Sequence, residues 1–206
     1  MHGKFITVEG TEGVGKSSNM AFVEAYLKQA GIELIVTREP GGTPLSEKIR
    51  DMLLDARQDA ICDDTELLMM FAARAQHLNQ LIIPALENGQ WVLCDRFTDA
   101  SYAYQGGGRG IAESRIAELE QWVQADLRPD LTLLLDMPVD EGLVRAGNRS
   151  EPDRFEKEKH DFFEKVRACY LDRAAKFPER FKIINAQPAL EQVQAQIKTI
   201  LDSLLA

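Results

Sequence analysis

Short apolar runs alternate with longer stretches of helical spacing along the whole chain. The first run, Lys4-Phe5-Ile6-Thr7-Val8-Glu9, reads as a short buried strand. Ser18 to Gln29 reads as a helix, closed by Gly31 at its C′ position. Glu33 to Arg38 predicts a second strand and Glu39-Pro40-Gly41-Gly42 a turn. Thr43 suits an N-cap, with Pro44 at the first helical position and Leu45, Ile49, Met52 and Leu53 at helical spacing. Asp63 with Glu66 predicts a capping box that opens a long helix to Asn88, stopped by Gly89. That helix is apolar on most faces from Leu67 to Ala75, which predicts burial between layers, and Pro84 predicts a bend in its last turns. Trp91-Val92-Leu93-Cys94 has the length of a fully covered parallel strand and ends at Asp95-Arg96.

The second half repeats the alternation. A polar-aromatic stretch, Thr98 to Gln105, leads into Gly106-Gly107-Gly108-Arg109-Gly110, which reads as a mobile glycine turn. A helix is predicted from Ala112 to Ala125, a strand from Leu131 to Leu135 ending at Asp136, and a short helix from Val139 to Ala146. Residues 147–153 are polar and aperiodic, a charged helix spans Glu156 to Lys176, and Phe181 to Asn185 form a last strand. Leu190, Val193, Ile197, Leu201 and Leu204 mark a terminal amphipathic helix. Strand–helix alternation throughout predicts an α/β fold, a parallel sheet with helices on both faces, in a single domain over 1–206. Ligands of such sheets bind beyond the carboxyl ends of the strands, so Glu9, Arg38, Asp95, Arg96 and Asp136 are candidates.

Composition narrows the class. The chain of 206 residues has a net charge of −9, which disfavours coating nucleic acid by phosphate neutralisation. No apolar run approaches a membrane span, and no signal peptide precedes the first strand. Cys62, Cys94 and Cys169 are scattered and odd in number, as expected of reduced thiols in a cytoplasmic protein.

An acidic chain that binds phosphate must concentrate its cations locally, so the placement of the arginines matters, and one loop is suited to phosphate. Gly10-Thr11-Glu12-Gly13-Val14-Gly15-Lys16-Ser17 matches the P-loop pattern between a strand and a helix. Its glycines let backbone N–H groups converge on phosphate oxygens, Lys16 adds a point charge, and the Ser17 hydroxyl can complete a Mg²⁺ shell. Asp95 can hold Mg²⁺ and Arg96 can clamp a second phosphate group. Asp136 ranks behind Asp95 because no arginine follows it. Phe71 and Arg74, three apart on one helix, suit a planar base with acceptor oxygens, or else core packing with an internal carboxylate pair. Ser101, Tyr104 and Gln105 share a face if their stretch is helical. Arg145, Arg149 and Arg154 surround a segment that reads as a mobile lid at about 145–155.

These residues together resemble the thymidylate (dTMP) kinase family, of the bacterial kind, over essentially the full length. The resemblance rests on Glu9 to Ser17, Thr37-Arg38-Glu39-Pro40-Gly41-Gly42-Thr43, Phe71-Ala72-Ala73-Arg74, Asp95-Arg96-Phe97 and Tyr104-Gln105-Gly106-Gly107-Gly108-Arg109-Gly110. It implies a P-loop nucleoside monophosphate kinase with a five-stranded parallel sheet, a homodimer, that moves the γ-phosphate of ATP to dTMP with Mg²⁺. By the same resemblance, Phe71 stacks on thymine while Arg74 and Ser101 hydrogen-bond it. Tyr104 and Gln105 line the nucleoside pocket, Pro40 walls it near the methyl group, Arg38 and Arg96 grip the acceptor phosphate, and Glu12 approaches the sugar 3′ hydroxyl. The ATP set implied is Gly10, Thr11, Glu12, Gly13, Val14, Gly15, Lys16, Ser17 and Ser18, with Arg149. Some relatives carry an arginine where this chain has Gly13; in the glycine subtype the lid supplies the cation, which fits Arg149, although Gly147 and Asn148 replace a further lid arginine.

The implied mechanism is direct in-line transfer, with catalytic roles for Lys16, Asp95, Arg96 and Arg149 and metal ligation by Ser17 and Asp95. The acceptor phosphate is already a nucleophilic dianion near neutral pH, so no catalytic histidine is needed. The competing readings are a P-loop kinase for UMP/CMP or for a nucleoside, a GTPase-like switch, for which the N-K-x-D motif is absent, and a nucleic-acid-dependent ATPase, disfavoured by charge and by a second pocket suited to one base.

Overall fold

In the computed structural model, residues 3–55, 61–147, 154–155 and 158–205 are described. Five strands, β1 (Phe5–Glu9), β2 (Leu34–Arg38), β3 (Trp91–Asp95), β4 (Leu131–Asp136) and β5 (Phe181–Asn185), form one parallel sheet in the order β2-β3-β1-β4-β5. Each predicted strand is present within a residue or so of its expected bounds. The central strand β1 is buried on both faces, and its side chains alternate between two cores. Ile6 and Val8 join Leu93, Leu133 and Leu135 beneath α1 (Lys16–Gln29) and α9 (Leu190–Leu205). Phe5 faces the opposite layer with Val92, Cys94 and Phe97. That layer holds α3 (Asp63–His77), α4 (Ile83–Glu87) and α8 (His160–Lys176), so helices cover both faces. The register sets Val8 against Asp95 and Arg38 against Asp95, so the carboxyl ends of three strands meet at one edge.

Several local expectations are met. Thr43 caps α2 (Pro44–Leu54), its Oγ1 accepting from the Ser46 N–H, and Gly31 and Gly89 take the left-handed conformation after α1 and α4. Others are corrected. Asp63 and Glu66 do not form a capping box: Cys62 is the N-cap, and the Glu66 carboxylate is drawn into the core by Arg109 and Arg154. The long helix is not buried on every face, since Leu68 is 56% exposed, and Leu45 and Met52 of α2 also face outward. Proline cannot donate to the helix ladder and crowds the preceding turn. Before Pro84 the helix accordingly widens into a π-helical turn, Leu78–Ile82, ahead of α4.

The glycine run is not a loose turn either. A short helix α5 (Thr98–Ser101) continues as a π-helical segment, Tyr102–Gly108, followed by α6 (Glu113–Gln124). Glycine is needed because this segment lies directly on α8: a Cβ at Gly107 would come within 2.8 Å of the Lys165 carbonyl oxygen. The remaining helix, α7 (Val139–Ala146), follows β4. No helix among the described residues is long and apolar enough to cross a membrane.

Candidate active site

Strand β1 ends in the P-loop, and α1 begins at Lys16. Gly13 has φ +74°, and a Cβ there would sit 1.8 Å from the carbonyl oxygen of Gly142 in α7. Position 13 is thus closed to any side chain by both conformation and contact. The Lys16 ammonium donates to the carbonyls of Gly10 and Thr11, at 3.4 and 3.2 Å. Burial and the nearby Arg96 lower its pKa, opposed by the carboxylates of Glu12, Asp95 and Glu9.

Beside the loop, Arg96 adopts φ +67°, a left-handed conformation unusual for an arginine. Its guanidinium donates to the Gly10 carbonyl at 2.8 Å, to Glu12 Oε1 at 2.7 Å and to the Tyr170 hydroxyl at 3.2 Å. It also covers the Tyr104 ring, whose hydroxyl donates to Glu12 Oε1 at 2.9 Å. Burial alone would raise the Glu12 carboxyl, but Lys16, Arg96 and the Tyr104 bond hold it at about 2. Behind them Glu9 is fully buried, accepting from the Phe97 N–H and the Tyr170 hydroxyl, both at 2.7 Å. Desolvation, with repulsion from Asp99, pushes its pKa up to about 8.

A cavity of about 280 Å³ opens beneath the loop. It is lined by the sequence candidates Glu12, Gly13, Gly15, Lys16, Ser17, Pro40, Arg74, Asp95, Arg96, Ser101, Tyr104 and Gln105. Arg74 is 3% exposed; its Nε donates to Glu39 at 2.7 Å and its Nη2 to Ser101 Oγ at 3.0 Å. The other oxygen of Glu39 meets His77 Nδ1 at 3.0 Å. Arg74 therefore has the internal carboxylate partner a buried cation requires, yet its Nη1 has no hydrogen-bond partner among the described residues. Asp95 Oδ1, also buried, has none either. Asp136 is paired twice with Arg167 of α8, at 2.7 and 2.9 Å, so an arginine does accompany it, supplied by the fold rather than by its neighbour in sequence.

Three expectations change. Phe71 does not line the cavity: it packs with Leu67, Tyr102 and Ile116 behind the Arg74 guanidinium. The residue one turn before Arg74 on the cavity side is Met70, because i,i+4 rather than i,i+3 spacing aligns with the opening here. Arg38 is exposed and ion-paired with Glu47 at 2.9 Å, away from the cavity lining, whereas Arg50 of α2 lines it. Of the lid arginines, Arg145 is held by the carbonyls of Ala186 and Gln187, and Arg154 by Leu53 O and Glu66. Arg149 lies outside the described residues, as does most of the expected lid.

Reading the sequence missed Arg50, Met70 and Glu39. The first two carried a signal, since Arg50 and Leu54, like Met70 and Arg74, are i,i+4 pairs on helices whose opposite faces are apolar. Nothing local marks Glu39 as the partner of a residue 35 positions later.

A family model described as Thymidylate kinase matches residues 8–197. A thymidylate kinase of Ectopseudomonas mendocina is 57% identical over 205 residues, covering 100% of this chain and 98% of the relative. One of Teredinibacter turnerae is 58% identical over the full length of both. The crystal structure of thymidylate kinase from Ehrlichia chaffeensis superposes with a TM-score of 0.80 at 31% identity, covering 98% of this chain and all of that one.

Proposed function

Because the chain belongs to the thymidylate kinase family, and so transfers a phosphoryl group from ATP to dTMP to give dTDP, we propose that the cavity under the P-loop seats both reactants. The observation that carries this reading is Arg74 Nη1, a buried cationic donor left without a partner in a cavity shared with Lys16, Asp95 and Arg96. Arg74 and Ser101 bind the 4-oxo edge of thymine, Gln105 the adjacent ring position, and Met70 and Phe97 supply the apolar walls. Pro40 stands near the methyl group, Tyr104 near the sugar 2′ position and Glu12 near the 3′ hydroxyl.

The amides of Gly10 to Ser18 and the Lys16 ammonium cradle the ATP phosphates, helped by the N-terminus of α1. Arg96 and Arg50 hold the acceptor phosphate, and Arg38 joins them by exchanging the Glu47 carboxylate for it. An oxygen of that phosphate attacks the γ-phosphorus as the bond to the bridging oxygen of ADP breaks. The unpartnered Asp95 Oδ1, in the cavity that Ser17 also lines, would hold a Mg²⁺ ion together with the Ser17 hydroxyl, and the ion would neutralise charge on the phosphate oxygens.

The chain is of the glycine subtype. Gly142 packs so closely on Gly13 that the loop has no room for a cation of its own, and we assign that role to Arg149 in a closing segment at about 145–155 of the single domain. The assembly is a homodimer, for which exposed Leu68 on α3 and Trp122 on α6 offer apolar surface. The three free cysteines suit a cytoplasmic setting.

Arg74→Lys tests the central reading. Lysine keeps a charge for Glu39 but loses the planar fork, so KM for dTMP should rise by about tenfold or more with KM for ATP little changed. An unaltered KM for dTMP in a folded variant would reject the base-binding role.

A further inference from the structure

Gln105 is 1% exposed and is the only amide side chain that lines the cavity among the described residues. A primary amide offers an acceptor on one side and a donor on the other, and rotating it by half a turn exchanges them. What the cavity presents beside Arg74 therefore depends on what holds the far side of this amide.

That far side meets Glu66. Gln105 Nε2 donates to Glu66 Oε1 at 2.8 Å. Glu66 is fully buried, and Arg109 and Arg154 both donate to its Oε2, at 3.2 and 2.5 Å. A carboxylate that accepts from two guanidinium groups offers oxygens on every side, so the amide nitrogen points toward it. The amide oxygen is left to the other side, and Gln105 lines the same cavity as Arg74, whose Nη1 donor has no partner among the described residues. An acceptor beside a donor complements a pyrimidine with N3–H and a 4-oxo group, as in thymine. Cytosine presents the inverse pair, an N3 acceptor and a 4-amino donor, and meets like against like at both positions.

We propose that Glu66 is a positioning residue for base selection: by pinning the Gln105 amide in one orientation, it makes the site reject the cytosine pattern. This rests on the reading that Gln105 faces the base. The carboxylate is needed for its inability to donate, and not merely for filling space, because a glutamine of the same size could hold the amide either way round.

The test compares kcat/KM for dTMP and dCMP in Glu66→Gln, Gln105→Met and the double variant, with thermal melts to confirm folding. Glu66→Gln should raise the dCMP/dTMP ratio by about tenfold, mainly through KM, and should add nothing further in the Gln105→Met background. A merely structural role would lower both substrates alike and leave the ratio unchanged, which overturns the proposal, as would additive effects on the ratio. A Gln105→Met variant with an unchanged ratio instead rejects the underlying reading that Gln105 meets the base. Should Glu66→Gln fail to fold, the native protein still decides. The Gln105 side-chain amide protons, assigned by their loss in Gln105→Met, should stay protected from exchange both before and after dTMP is added. Rapid exchange of those protons in the dTMP complex would overturn the proposal.

Discussion

At the scale of single residues, the site is governed by how buried charges are matched. Glu12, Lys16 and Arg96 lie within one network, which is why Glu12 stays ionised to about pH 2 despite its surroundings. Glu9 lies one layer deeper and shows the opposite outcome, because desolvation and Asp99 outweigh Arg96 and two hydrogen bonds. Its folded pKa of about 8 exceeds the ordinary carboxylate value, so between roughly pH 4.5 and 8 the folded chain holds a proton that the unfolded chain has lost. Stability from this group therefore falls as pH rises through that window. Glu9→Gln mimics the protonated form and should gain stability relative to the native chain from about pH 5 to 8, then level off. Urea denaturation at a series of pH values reads this directly, and a constant difference would count against it. Arg149→Ala should depress kcat more than it raises KM for dTMP; an effect confined to KM would remove Arg149 from the transition state.

At the scale of elements, the decisive unit is the π-helical segment Tyr102–Gly108. Wider than an α-helix, it carries Tyr104 and Gln105 into the cavity while its glycines lie flush on α8. The contact is backbone to backbone at Gly107, so the added methyl of Gly107→Ala cannot be absorbed by a rotamer change. Gly107→Ala should destabilise the fold by about 1–3 kcal/mol and raise KM for dTMP, as seen by thermal melts and steady-state kinetics. A melt and KM like those of the native chain would mean that α8 yields more easily than its packing implies. The segment illustrates the limit of sequence reading. A glycine run by itself signals mobility, and only the presence of α8 against it turns the same residues into a close-packed seam. Likewise Met70 and Phe71 differ by one position, which is 100° around a helix; the i,i+4 spacing of Met70 to Arg74 is a faint signal, and only the packing of the helix decides that Met70 faces the cavity.

At the scale of the whole molecule, the sheet order β2-β3-β1-β4-β5 brings the ends of β1, β2 and β3 together, so residues far apart in sequence share one cavity. The face of α3 away from that cavity carries Leu68, 56% exposed, and α6 beside it carries Trp122, 82% exposed. If two copies bury this surface, light scattering at micromolar concentration should give about twice the chain mass of 23.1 kDa, and Leu68→Glu should shift it toward one. A native mass of a single chain would dismiss the homodimer.

The sequence by itself determined whatever is contiguous or periodic. The P-loop is eight consecutive residues between a strand and a helix, and the strands and most helices follow from apolar runs and spacing. Thr43 and Gly31 were legible as caps for the same reason, since their partners lie within a few residues. Tertiary structure alone decided the pairings across distance: Glu39 with Arg74, Asp136 with Arg167, Arg38 with Glu47 instead of the cavity, and Glu66 behind Gln105. A buried charge takes whichever partner the packing delivers, and that choice depends on distances through space that the order of residues along the chain does not contain.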